Sequence, residues 1–98
     1  MPRRIIWSEE AEADYSNNIN YLLQNWSVND AREFIDKATN VILIIKNMPE
    51  AFPISDYKKV RKALICKQIN LLYKVSKSEI IVLRFWDNRQ KSEKSGVI

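Results

Sequence analysis

The sequence IIVLRFWDNRQ (residues 80–90) constrains the expected architecture more than any other segment of the chain. Its first half is almost continuously apolar, a pattern typical of a strand that is buried on both faces in the middle of a sheet. The polar residues that follow, including Arg89, mark the point where this strand returns to solvent. An arginine at the mouth of a central strand is well placed to contact an anion. We therefore expect a small basic protein that binds something acidic.

Two helices are expected upstream of this strand. Residues 4–7 read as a short edge strand, and Ser8 is a good N-cap for a first helix, whose apolar residues recur at helical spacing as far as Trp26. A short polar break at residues 27–30 separates it from a second helix. That helix must end by Asn47, because Pro49 cannot continue it. The short connection predicts an antiparallel helical hairpin.

Three further strands are expected after an irregular loop over residues 49–57. They cover roughly residues 60–66, 68–75 and 79–86, and the second alternates apolar and polar residues, as a strand with one buried face does. The predicted fold class is α+β with the order β-α-α-β-β-β. It is an antiparallel sheet with an N-terminal helical hairpin packed on one face.

The length and composition predict one domain over residues 1–98, with a flexible tail from about residue 90. Ninety-eight residues are too few for two independent cores. The apolar run after Arg3 and Arg4 is too short for an export signal, so we expect a cytoplasmic protein. Cys66 is the only cysteine, which agrees with a reducing compartment.

The absence of histidine restricts the possible chemistry. With one cysteine as well, the usual zinc sites and histidine-dependent nucleophiles cannot be built, and we expect no cofactor and no metal. Any catalysis would have to use Lys, Arg, Tyr, Asp or Glu.

Positive charge is concentrated in the second half of the chain. Residues 1–45 carry four Lys or Arg and seven Asp or Glu, a net charge of −3. Residues 46–98 carry twelve Lys or Arg and five Asp or Glu, a net charge of +7. Within the basic stretch at residues 58–67, strand alternation would place Arg61 and Lys67 on one face and Lys62 on the other. The stretch is either an edge strand protected by lysines against aggregation or a patch that binds phosphates or carboxylates.

A second candidate constellation is the segment Trp86–Arg89. Trp86 could simply seal the edge of the core, or it could stand beside Arg89 in a groove and stack on a ligand. Trp7 and Trp26 are expected in the core or at its rim, and an exposed tryptophan would instead indicate a protein interface.

The order of elements and several short strings resemble the RelE/ParE superfamily of bacterial type II toxin–antitoxin toxins, also called plasmid stabilisation proteins. The strings are IIWSEEA (5–11), MPEAFP (48–53), VRKALI (60–65), LLYKV (71–75) and FWDNRQ (85–90). The resemblance implies a toxin that inhibits growth and is held inactive by a cognate antitoxin. One branch of the superfamily cleaves messenger RNA on the ribosome, and the other poisons DNA gyrase.

The sequence is similar to the RNA-cleaving branch at Arg89, and Lys58, Lys59 and Arg61 correspond to its basic strand. The chain has Asn70 where that branch often has an arginine, and no aromatic residue follows Trp86. With abundant cations and no evident proton carrier, we favour the ParE-like, gyrase-inhibiting branch, with Arg61, Lys67, Trp86 and Arg89 as target-binding residues.

Two alternatives stay open. The first is a metal-independent, ribosome-dependent endoribonuclease that uses Lys59, Arg61, Lys67 and Arg89 around the scissile phosphate. The second is a degenerate toxin that survives only as a binding partner. Whether the protein is an enzyme is undecided at this point, with the non-enzymatic interpretation favoured. The first expected partner is an antitoxin, with which the toxin could form a hetero-oligomer. The second is gyrase or, alternatively, the ribosome with mRNA. No association with a membrane is expected.

Overall fold

The structure, a computed structural model, describes residues 3–56 and 58–88. The elements follow the predicted order: β1 (Arg4–Trp7), α1 (Glu9–Asn25), α2 (Val28–Asn47), β2 (Arg61–Cys66), β3 (Ile69–Val75) and β4 (Glu79–Asp87). The predicted tail beyond residue 90 lies outside the described residues, and so does Arg89. Neither helix is long and apolar enough to cross a membrane, as far as the described residues show.

The four strands form one sheet in the order β1-β4-β3-β2. The predictions that β4 is central and that β1 is an edge strand are confirmed. Strands β2, β3 and β4 are antiparallel as expected, but β1 pairs with β4 in parallel, from Arg4 opposite Glu79 to Trp7 opposite Val82. The sheet is therefore mixed. After the helical hairpin and the loop that follows it, β2 runs in the same direction as β1. The chain then reverses twice, once before β3 and once before β4, so β4 is parallel to β1.

Both helices begin at serine N-caps. The Ser8 hydroxyl accepts a hydrogen bond from the Ala11 amide, and the Ser27 hydroxyl accepts one from the Asp30 amide. Each cap satisfies an amide that has no partner within the helix. The Ser8 hydroxyl also donates to the Leu83 carbonyl at 2.8 Å, so this cap fastens the start of α1 to β4.

The core lies between the helical hairpin and one face of the sheet. Its fully buried large side chains are Phe34, Ile45, Leu71, Tyr73, Ile80, Val82 and Phe85. Phe85 is central, because the rings of Trp7, Tyr15 and Phe34 all lie within 6.4 Å of it, centroid to centroid. The predicted apolar stripe of α2 and the predicted buried face of β3 both lie in or against this core.

A bulge in β4 changes which residues face the core. Tyr73 pairs with Val82 and Leu72 pairs with Arg84, so Leu83 is the extra residue on the bulged strand. Before the bulge Ile80 and Val82 point to the helices, and after it Phe85 does. Arg84 and Trp86 are consequently turned to the face of the sheet opposite the helices.

Candidate functional site

One face of the sheet has no helix over it within the described residues. We call it the open face. It consists of the alternate strand residues that point away from the core: Arg4, Ile6, Lys62, Leu64, Asn70, Leu72, Lys74, Ile81, Arg84 and Trp86. Leu64 is 60% exposed in the centre of β2, an unusual position for a large apolar side chain. This mixture of apolar and cationic side chains is the composition of a surface that binds an acidic macromolecule.

Strand register arranges these side chains in rows across the sheet. Lys62, Leu72 and Arg84 form one row. Leu64, Asn70 and Trp86 form the next. Since neighbouring strands lie about 4.8 Å apart, the two cations of the first row originate about 10 Å apart, with the leucine between them.

The position of Arg84 is fixed by Asp14 on α1. The Arg84 guanidinium donates to both carboxylate oxygens, at 2.6 Å from Nε and 3.0 Å from Nη2, and one of those oxygens also accepts from the Phe85 amide at 3.1 Å. The pairing of β4 with β1 ends at Val82, so this carboxylate takes the place of a missing strand partner at the exposed edge. The hydrogen bond that Arg84 donates to Asp14, together with the negative charge of that carboxylate, raises the pKa of Arg84, which therefore remains a cation.

The same guanidinium lies over an aromatic ring. Arg84 Cζ is 5.1 Å from the centroid of Trp86, a cation–π distance. Asp14, Arg84 and Trp86 thus form a continuous chain of contacts from α1 to the open face. A large aromatic residue whose position is fixed before binding loses little conformational freedom when a partner docks on it.

Arg61, one of the predicted site residues, lies apart from the open face. It shares the core-facing side of β2 with Ala63, and its Nη1 donates to the Phe52 carbonyl at 2.7 Å and to the Glu50 carbonyl at 3.5 Å. Part of this guanidinium therefore stabilises the loop after α2, a role that no sequence pattern indicated.

The other predicted cations are dispersed. Lys67 lies in the turn after β2, about 20 Å from Arg61 if each of the six strand residues rises about 3.3 Å. It lines a cleft between α1, α2 and this turn, together with Trp26. Lys59 lies at the opposite end of the sheet, near Arg61. The structure thus brings Lys59 and Arg61 together but does not bring Lys67 to them. Of the predicted site residues that the structure describes, only Trp86 lies on the open face.

The cations of the open face were not nominated from the sequence. Lys62 was assigned correctly to the face opposite Arg61, in a stretch interpreted either as a protected strand edge or as an anion-binding patch, but it was not named as a site residue. Lys74 could have been found from the alternation of β3. Arg84 could not have been found in this way, because uninterrupted alternation along β4 places its side chain on the core face. Only the bulge at Leu83 turns it to the opposite face.

The expectation that Trp26 is buried or at the core rim is wrong. Its side chain is 64% exposed after the end of α1, near Val28, which is 61% exposed. Both residues lie in or next to the short connection between the helices, at the tip of the hairpin. Trp7, in contrast, packs on Tyr15 and Phe85 as expected.

The open face can bind and position an anion, but it offers few groups for proton transfer. The chain has no histidine, and Arg84 on this face is already paired with Asp14. No group of three His, Cys, Asp or Glu that could hold a metal ion occurs among the described residues. Recognition of a partner is the chemistry that this arrangement supports best.

Several solved structures have a similar fold. The chain is similar to a chromosomal ParDE toxin–antitoxin system from P. aeruginosa, with a TM-score of 0.74 and 16% identity over 87% of this chain and 95% of that one. It is also similar to the YoeB dimer from Staphylococcus aureus (TM-score 0.63, 18% identity, 87% and 95% covered). The E. coli DinJ-YafQ toxin–antitoxin complex is a third match (TM-score 0.63, 14% identity, 92% and 97% covered).

At these identities the solved structures show the fold alone. No curated protein sequence matches the chain significantly. A family model described as the ParE toxin of the type II toxin–antitoxin system parDE matches residues 5–92, nearly the whole chain. The chain therefore belongs to the ParE toxin family of type II toxin–antitoxin systems.

Proposed function

We propose that this toxin inhibits DNA gyrase and is neutralised by a cognate antitoxin. The observation that carries the proposal is the ParE family match over residues 5–92, read together with an open face built for binding. On that face Lys62, Lys74 and Arg84 lie among apolar side chains, of which Leu64 is exposed and Leu72 and Trp86 are half-buried. Gyrase as target would also place the toxin in the cytoplasm.

The open face supports contact with a protein target better than it supports cleavage of RNA. Attack by a 2′-hydroxyl needs a base and an acid near the scissile phosphate. A lysine with an ordinary pKa of about 10.4 is a poor base at neutral pH. Trp86 and Leu64, in contrast, are the kind of large apolar side chains that dominate protein–protein interfaces.

Gyrase inhibition can be tested with the purified protein in a DNA supercoiling assay. We expect inhibition, and we expect Trp86→Ala and Lys62→Gln to raise the concentration needed for half-inhibition at least about fivefold, the effect of losing an interface contact worth about 1 kcal/mol. Lys46→Gln, an equally conservative change at an exposed position of α2, should leave it unchanged. Normal supercoiling at all concentrations, with no stabilised cleavage complex, would contradict the proposal.

We propose that the antitoxin covers the tip and outer side of the helical hairpin. Large apolar side chains are exposed there, including Leu23, Trp26, Val28, Leu43 and Met48. The cleft beside Trp26, of about 270 Å³, would receive apolar side chains of an amphipathic antitoxin helix, and acidic antitoxin residues would meet the basic open face. The P. aeruginosa and E. coli neighbours, described as toxin–antitoxin systems, support such a partner.

Calorimetric titration with the product of the adjacent gene tests the antitoxin proposal. We expect tight binding that Trp26→Ala weakens at least about tenfold, as for an interface hot spot. Absence of heat at several salt concentrations would argue against this partner.

Cleavage of mRNA on the ribosome is the second candidate function. The similarity of the fold to the folds of YoeB and YafQ supports retaining mRNA cleavage as an alternative function. Mapping of mRNA ends on translating ribosomes would reveal cuts, and loss of cutting in Arg61→Ala, Lys67→Ala or Arg89→Ala would assign those residues to the reaction. Expression of the toxin alone without any growth defect would instead favour a degenerate toxin that acts only as a binding partner.

A further inference from the structure

A basic cleft lies at the end of the sheet away from Lys67. Four positively charged side chains line it, Arg3, Lys59, Arg61 and Lys77, with Glu50, Ile54, Val75 and Ser76 completing the wall. Its volume is about 300 Å³. The cleft is separate from the open face, because Val75 packs against the core and Arg61 is on the core-facing side of β2.

The sheet topology explains why four distant cations meet here. β1 begins opposite the beginning of β4, and Val75 at the end of β3 pairs with Ile80. Residues next to these strand ends, Arg3 before β1 and Lys77 in the β3–β4 turn, therefore lie together. The beginning of β2 is at the same end, because Arg61 pairs with Tyr73.

Both arginines of the cleft are held in place by backbone carbonyls. Arg3 Nε donates to the Ser76 carbonyl at 2.6 Å, and Arg61 Nη1 donates to the Phe52 carbonyl at 2.7 Å. Arg61 Nη1 also donates to the Glu50 carbonyl at 3.5 Å, and no other hydrogen bond of the two guanidinium groups is found within residues 3–56 and 58–88. Two guanidinium groups are thus oriented in advance, with donors left for a bidentate contact to an oxyanion.

The positive charge of the cleft is not neutralised by the surrounding protein. The salt bridges found among the described residues are Arg84 with Asp14 and Lys37 with Glu33, and neither involves a cleft residue. Glu50 is the one carboxylate among the described residues of the lining, so the five charged side chains described there leave a surplus of three positive charges. Such a surplus in a concave site attracts anions, and multiply charged anions most strongly.

The backbone that carries Lys59 into the cleft is itself unusual. Lys58 and Lys59 have φ angles of 50° and 58°, in the left-handed region that residues with a Cβ seldom occupy. Two consecutive residues of this kind cost conformational energy. Strain of this sort is concentrated at sites where a side chain must be held in one position.

We propose that the basic cleft binds the terminal phosphate of a small phosphate monoester. At neutral pH such a group is largely a dianion, since its second pKa is about 6. It offers three acceptor oxygens to the two arginines and two lysines, and its charge matches the surplus better than a carboxylate or a phosphodiester does. The pocket has room for one such group and part of the molecule attached to it.

The test uses the full chain and inorganic phosphate as the probe, with ¹⁵N–¹H NMR and calorimetry at low ionic strength. We expect saturable shifts of the Lys59, Ser76 and Lys77 amides. Lys59→Asn and Lys77→Gln should each weaken phosphate binding about threefold to tenfold, as expected for loss of one partly exposed ion pair. Asparagine is chosen at position 59 because it tolerates the left-handed conformation.

The matched control is Lys58→Asn. Lys58 has the same backbone conformation and charge, but it does not line the cleft. Binding that falls equally in Lys58→Asn and Lys59→Asn would identify an adventitious ion only and overturn the proposal, as would the absence of saturation with phosphate. A dinucleotide phosphodiester without terminal phosphate should bind more weakly, and equal affinity would overturn the assignment to a monoester. None of these measurements includes gyrase, so their outcome is independent of the proposed target.

Discussion

Replacement of Asp14 by asparagine should destabilise the protein substantially. The Asp14 carboxylate is 12% exposed and accepts three hydrogen bonds, two from Arg84 and one from the Phe85 amide. Asparagine can keep one oxygen for the Phe85 amide and Arg84 Nε, but its NH₂ group would then face the Arg84 Nη2 donor. The change leaves a partly buried arginine without its counter-charge.

The size of this effect follows from the contacts. A hydrogen bond to a charged group contributes about 1.5–3 kcal/mol. One charge-assisted bond is lost and the bond from Nε becomes one to a neutral oxygen, but the Arg84 side chain is 35% exposed and regains some hydration, so we expect a loss of about 2–3 kcal/mol. For a domain of this size that corresponds to a fall in Tm of about 10–20 °C.

Urea denaturation followed by circular dichroism measures the change, with Glu12→Gln as the control. Glu12 is on the same helix, is exposed and loses the same charge, so its replacement should alter the free energy of unfolding by less than about 0.5 kcal/mol. A double-mutant cycle of Asp14→Asn with Arg84→Gln should give a coupling energy of about 1–3 kcal/mol. If Asp14→Asn cost no more than Glu12→Gln, the carboxylate would not be fastening α1 to β4.

Three other substitutions test separate parts of the structure. Burial raises the pKa of the Tyr73 phenol above its ordinary value of 10.0, so the folded state keeps this proton to a higher pH than the unfolded state does. The contribution to stability should therefore be complete below about pH 10 and be lost as the pH rises further. Tyr73→Phe should reduce this loss in thermal melts between about pH 9 and 11. Ser8→Ala should lower the free energy of unfolding by about 1–2 kcal/mol in chemical denaturation, because it removes both a helix cap and a hydrogen bond to β4. Ser27→Ala removes an exposed helix cap alone and should cost about half as much. Equal costs would contradict the role of Ser8 as a link between α1 and β4. Phe34→Ala should cost about 3–5 kcal/mol, since the ring is 2% exposed in the centre of the core, and a urea midpoint close to that of the parent protein would show that the ring is not packed there.

The order and type of the elements could be predicted from the sequence because each depends on local pattern. Ser8 followed by acidic residues starts a helix, Pro49 stops one, and the alternation of β3 separates a buried face from an exposed one. These signals act over a few residues and need no knowledge of the partners.

The parts that sequence analysis missed depend on contacts between distant residues. The bulge at Leu83 exists only in relation to β3, and it decides that Arg84 and Trp86 face away from the core. The parallel pairing of β1 is set by the path of the whole chain. Arg61 was selected as a site residue for its charge, but part of its guanidinium donates hydrogen bonds to carbonyl groups of the preceding loop. No short sequence pattern predicts these hydrogen bonds.

The pairing of the first strand with the fourth has a consequence for synthesis. Ser8 and Leu83, which hydrogen-bond to each other, are 75 residues apart, so β1 leaves the ribosome long before its partner exists. Non-local pairs of this kind fold slowly, because the entropy of closing the loop is lost before the contact is gained. A nascent toxin cannot complete its sheet until β4 has emerged. An antitoxin translated at the same time would therefore have an interval in which to meet the chain before it becomes harmful.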